Sequence, residues 1–116
     1  MKYLCMIYCD EGKDATNTPQ EHESVHAAYM AYTLDGRAKG VIKAGDPLHP
    51  SSTATTVRVR DGRTVTADGP YAETKEQLGG YYMLDCENLD QAIEWAARIP
   101  HAAHGAVEVR PVIAVS

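Results

Sequence analysis

At 116 residues the chain has room for one domain with a core of its own, without disulfide or metal staples. Its 11 lysines and arginines face 16 aspartates and glutamates, and the formal charge of -5 repels phosphate backbones and anionic lipid, which sets aside nucleic-acid and membrane-surface binding. The 3 cysteines follow neither a CxxC nor a Cys/His zinc pattern, so they read as reduced core residues of a cytoplasmic protein with no metal, and without a glycine-rich nucleotide loop, a P-loop or a nucleophile elbow no cofactor is expected.

Residues Lys2 to Cys9 alternate, with Tyr3, Cys5, Ile7 and Cys9 on one face and Leu4, Met6 and Tyr8 on the other. Both faces are apolar, so this strand belongs in a sheet covered on both sides. Cys5 and Cys9 share a face about 13 Å apart, too far for a disulfide. The apolar run is too short for a signal peptide or a membrane span. A polar loop is expected over Gly12 to Asn17.

Thr18-Pro19-Gln20-Glu21 is a capping box with proline at the first helical position. The helix it opens is expected to bury Val25, Ala28, Tyr29 and Tyr32 and to end near Gly36 or Gly40. A short strand over Val41 to Ala44 precedes a loop from Gly45 to Ser52 that contains Asp46 and borders a candidate site. Thr53 to Arg60 alternates, reverses at Asp61-Gly62 and returns through Thr64 to Thr66 as a hairpin.

Leu78 to Cys86 is the second doubly apolar strand, with Tyr82, Leu84 and Cys86 opposed to Tyr81 and Met83. Asn88 caps a helix in which Leu89, Ala92, Ile93, Ala96 and Ala97 keep helical spacing, and Pro100 ends it. His101 to Gly105 is a loop, and Ala106 to Val115 is a last strand whose Pro111 suits an edge. Strand, helix, strand, hairpin, strand, helix, strand is the order of a ferredoxin-like α+β sandwich with an inserted hairpin. Helices cover one face of such a sheet; a second copy of the chain is the simplest cover for the other, so a homodimer is expected.

Special chemistry is densest in Asp68-Gly-Pro-Tyr-Ala-Glu-Thr-Lys-Glu-Gln-Leu-Gly-Gly-Tyr-Tyr82, where the Gly69-Pro70 corner presents Asp68, Tyr71, Glu73 and Lys75. The same Asp68 also fits the plain role of a turn aspartate that caps backbone amides. His22-Glu23-Ser24-Val25-His26 matches the HExxH pattern of zinc proteases, but those enzymes need a third ligand and a much larger cleft-bearing chain.

The stretch from Asp68 to Tyr82 resembles the signature of the DGPF-motif branch of the YCII-related family. Ala44 to Leu48, Ser52 to Arg58, the run ending at Pro100 and Val107 to Pro111 extend that resemblance over nearly the whole chain. Tyr71 stands where the family pattern has phenylalanine, so the motif gains a hydroxyl. The resemblance implies a dimeric α/β barrel and a helix-1 histidine, here His26, as half of a His-carboxylate dyad with Asp68 as its partner.

On this footing His26, Asp68 and Tyr71 are the candidate catalytic residues, and Asp46, Glu73, Lys75 and Tyr82 the candidate ligand-binding ones. The expected chemistry is proton abstraction, isomerisation or elimination on a small molecule. The alternative is a non-enzymatic module that binds a ligand or a protein partner, since family members are often encoded beside extracytoplasmic-function sigma factors.

Overall fold

The computed structural model describes residues 1–115. Four antiparallel strands form the main sheet: β1 (Lys2–Cys9), β2 (Ile42–Pro47), β5 (Gln77–Asp85) and β6 (Ala106–Pro111), in the order β2-β5-β1-β6. Two helices, α2 (Pro19–Ala38) and α3 (Leu89–Ala97), connect them in the ferredoxin-like manner, and β3 (Thr55–Arg60) with β4 (Arg63–Asp68) makes the inserted hairpin. A single helical turn, α1 (Glu11–Asp14), sits in what the sequence presents as polar loop. Among the described residues no helix is long and apolar enough to cross a membrane.

Alternation along β1 and β5 decides what is buried. Tyr3, Cys5 and Ile7 join Tyr82 and Leu84 under the helices, while Leu4, Met6, Tyr8, Tyr81 and Met83 are left half-buried on the opposite face. The three cysteines are all buried free thiols.

α3 is capped by Asn88, whose side chain accepts from Gln91 N–H, and it buries Ala92, Trp95 and Ala96. Leu89 and Ile93, which share the helical spacing, are about half exposed; the seam runs through Trp95 instead. α2 carries the full capping box at Thr18 and Glu21 and stops before Gly40, whose φ of 72° suits a residue without Cβ. Of its 20 residues only Tyr32 and Gly36 are buried, Val25 and Tyr29 are half-buried, and Ala28 is exposed. Gly36 lies against Ile42, so the C-terminal half of α2 is pressed onto the sheet and its N-terminal half stands off.

Strand β2 runs on through Gly45 and Asp46 to Pro47, so these residues extend the sheet instead of forming a loop. The hairpin turns at Asp61 and Gly62, both with positive φ, and nearly all its residues are exposed. That arm accounts for a radius of gyration of 16.1 Å, against about 13 Å for a compact chain of this length.

Candidate functional site

The gap left by α2 is a cleft of about 400 Å³ between the helix and the β2-β5-β1 part of the sheet. Gly45 and Gly79 let neighbouring side chains pack directly onto the backbone of its floor. At Gly45 the ring of Tyr82 lies over the backbone, and at Gly79 the Cys9 sulfur lies 3.1 Å from where a Cβ would stand. Tyr82 is fixed by its own hydroxyl, 2.7 Å from Thr33 Oγ1, and by edge-on packing with Tyr32. Tyr29 lies near parallel to it, with centroids 6.5 Å apart.

A hydrogen-bonded Tyr29–His101 pair, with Asp14 in charge contact behind it, leads into the cleft from a neighbouring cavity. Asp14 on α1, His101 on the turn Pro100–Ala103 and Tyr29 on α2 are linked in sequence. His101 Nε2 is 3.4 Å from Asp14 Oδ2, and its Nδ1 is 2.6 Å from Tyr29 Oη. The negative charge of Asp14 facing Nε2 favours the tautomer with its hydrogen there, which leaves Nδ1 to accept from the phenol in the neutral ring. Burial pushes the Tyr29 phenol well above its ordinary value, which keeps its proton in place until a base removes it. A carboxylate that orients an imidazole, which in turn polarises a hydroxyl, is an arrangement suited to proton transfer.

The candidates read from the sequence divide into two groups. His26 lines the cleft wall one helical turn before Tyr29, and Tyr82 forms its back. Asp46 meets the cleft at its rim: β2 and β5 pair Asp46 with Tyr81 on the face opposite Tyr82, and Tyr81 Oη donates to Asp46 Oδ2 at 2.7 Å. That carboxylate raises the Tyr81 phenol above its ordinary value, by the hydrogen bond first and its charge second.

Asp68, Tyr71, Glu73 and Lys75 do not line the cleft, so the chain on its own does not join His26 to Asp68. Asp68 ends β4 opposite Thr55, Tyr71 is 82% exposed under the Arg58 guanidinium, and Glu73 and Lys75 lie in an irregular exposed stretch. The Gly69-Pro70 corner is tied back to the arm instead, through Gly69 N–H to Ala54 O and Thr56 Oγ1 to Gly69 O.

Asp14, Tyr29 and His101 escaped the sequence reading because nothing local joins them; Tyr29 and His101 alone are 72 positions apart. The signal that finds them is topological. β1 and β6 are antiparallel neighbours with Tyr8 opposite Ala106, so the segments just after β1 and just before β6 share one end of the sheet.

The sequence model of the YCII-related domain matches residues 1–116. An uncharacterised protein of Rhizobium meliloti (strain 1021) is 36% identical over 118 residues, covering 97% of this chain and 92% of the relative. Among solved structures, 5-chloro-2-hydroxyhydroquinone dehydrochlorinase (TftG) from Burkholderia phenoliruptrix AC1100, in complex with 2,5-dihydroxybenzoquinone, is similar in fold. It has a TM-score of 0.51 at 18% identity, over 97% of this chain and 94% of that one.

Proposed function

Because the chain belongs to the YCII-related family, we propose that it is a small-molecule enzyme that abstracts a proton from a single-ring substrate held in the α2 cleft, leading to isomerisation or elimination. The observation that carries this reading is the Asp14, His101, Tyr29 chain ending on the cleft wall. In the transfer, Tyr29 oxygen takes the substrate proton as its own proton passes to His101 Nδ1, and Asp14 stabilises the imidazolium that forms. His26, three residues back on the same helical face, is the second group able to exchange a proton there. Tyr29 and Tyr82 offer aromatic faces to a flat ring, and the quinoid ligand of the dehydrochlorinase is of that kind.

The test is a panel of hydroxylated and halogenated single-ring phenols and quinones, assayed for halide release and solvent-proton exchange. Tyr29→Phe and His101→Gln are expected to lower kcat about 10²- to 10⁴-fold while the circular dichroism of the fold is kept. A Tyr29→Phe variant that turns over at the full rate sinks the reading.

The reading is completed by a homodimer. The accessible surface of 8233 Å² exceeds the roughly 6,200 Å² of a compact monomer of 12.6 kDa. Val57 and Val59 on the arm are 59% and 62% exposed, and the half-buried residues opposite the helices add a second apolar area. Asp68, Tyr71, Glu73 and Lys75 enter the chemistry only if a second copy carries them to the cleft. A monomer by light scattering at micromolar concentration removes this part, and a heterologous protein retained in place of the second copy would favour the protein-binding alternative. Reduced, buried cysteines suit a cytoplasmic location.

A further inference from the structure

We infer that Cys9, Asp14 and His101 form a binding site for a thiophilic divalent cation of the zinc class, on the Nε2 side of His101. The three residues come from the end of β1, from α1 and from the turn before β6, and their ligand atoms all lie within 4.8 Å of one another. Tetrahedral coordination at about 2.0–2.3 Å sets ligand atoms roughly 3.3–3.8 Å apart. The 3.4 Å between His101 Nε2 and Asp14 Oδ2 already has that value, so the sulfur closes the remaining distance.

The donor set decides the metal class. One thiolate, one imidazole and one carboxylate suit zinc or cobalt and not the all-oxygen preference of magnesium or calcium. All three side chains line a cavity of about 670 Å³, which leaves the fourth coordination position open to water or to a small anion. Glu11 and Glu76 add negative charge near the sulfur, in the sense that favours a cation. Tyr29 supplies the hydrogen-bond partner that a metal-bound histidine needs on its other nitrogen.

Binding has a definite proton balance. The Cys9 thiol, pushed up to about 12 by burial and by Asp14, releases its proton to solvent as the thiolate binds. The hydrogen of His101 Nε2 moves to Nδ1 as the metal takes Nε2, and Nδ1 then donates to the Tyr29 oxygen instead of accepting from it. The cation therefore reverses the bond that the proposed relay uses. The site shares His101 and Asp14 with that relay but stands on the ligand cluster, independently of it.

Cobalt(II) titration of the reduced full-length protein tests this directly through the thiolate-to-cobalt charge-transfer band. The expected result is a band saturating at one cobalt per chain, absent in Cys9→Ser and weakened at least about 100-fold in affinity in His101→Gln. Tyr29→Phe, which removes the partner of Nδ1, keeps the band but with affinity weakened about 10- to 100-fold, and the doubly substituted His22→Gln/His26→Gln protein, which controls for the HExxH pair on α2, keeps it unchanged. A folded wild type that shows no band, a band that survives in Cys9→Ser, or one that vanishes in the His22/His26 variant overturns the site. Should Cys9→Ser fail to fold by circular dichroism, His101→Gln and Asp14→Asn decide: cobalt affinity unchanged in both overturns the site. Because the readout is metal binding, its failure leaves the catalytic test on metal-free protein untouched.

Discussion

Gly45→Ala tests whether the cleft floor is as close-packed as the geometry requires. A Cβ at Gly45 would lie 2.8 Å from Tyr82 Cε1, closer still to Cδ1, and 3.0 Å from the Tyr81 carbonyl oxygen. Carbon atoms rest at about 3.5–4.0 Å, so the Tyr82 ring has to retreat by roughly 1 Å. That shift breaks the Tyr82–Thr33 hydrogen bond, worth about 1 kcal/mol, and disturbs the edge-on packing with Tyr32, worth about 0.5–1.5 kcal/mol. With the strain of overpacking the loss comes to about 2–4 kcal/mol, a large part of the roughly 5–15 kcal/mol of a typical domain.

Urea unfolding followed by the fluorescence of Trp95, at one fixed protein concentration, measures it. The decisive comparison is a double-mutant cycle with Tyr82→Ala, in which most of the cost of Gly45→Ala is expected to disappear because the clashing ring is gone. An equal cost in both backgrounds would mean that the Tyr81 carbonyl, not the Tyr82 ring, excludes the side chain, and the argument that Gly45 seats the cleft wall would be wrong.

Thr18→Ala removes the N-cap of α2 and is expected to cost about 1 kcal/mol in the same assay; no change would mean that the capping box adds nothing beyond tertiary packing. Three carboxyls sit below their ordinary range in the folded chain: Asp35 through Arg98 and Lys39, Asp85 through the N-terminal ammonium, and Glu21 through the Thr18 amide and hydroxyl. Depressed carboxyls contribute stability above their unfolded values of 3.8 and 4.5, lost as pH falls through the folded ones. The urea midpoint should therefore drop between about pH 5 and pH 3, and a flat profile contradicts these pairings. Burial raises the Cys5 thiol to about 11 and leaves it no exposed surface, so Cys5 should resist a disulfide reagent at neutral pH in the native protein and react only in denaturant. Rapid labelling of Cys5 in the folded protein would contradict that burial.

The elements of this fold are legible in the sequence because their causes are local. Period-2 alternation in Tyr3, Cys5, Ile7 and Cys9, the Thr18 and Asn88 caps, and Asp61-Gly62 at the hairpin turn each depend on neighbours a few positions away. The ferredoxin-like order follows from their succession, and the match to the YCII-related family over residues 1–116 agrees with the family-level resemblance. What locality cannot supply is which side chains meet. The sequence joined His26 to Asp68 across a motif loop that the single chain holds on its exposed arm, and it placed Tyr29 against the core, where it does pack, without revealing that its hydroxyl also meets His101 beside a cleft. Asp14 and His101 come together only because β1 and β6 pair antiparallel and bring the two flanking turns to one end of the sheet. Periodicity and capping are short-range properties of the chain; a cleft is defined by strand order and helix tilt, which arise only when distant segments pack.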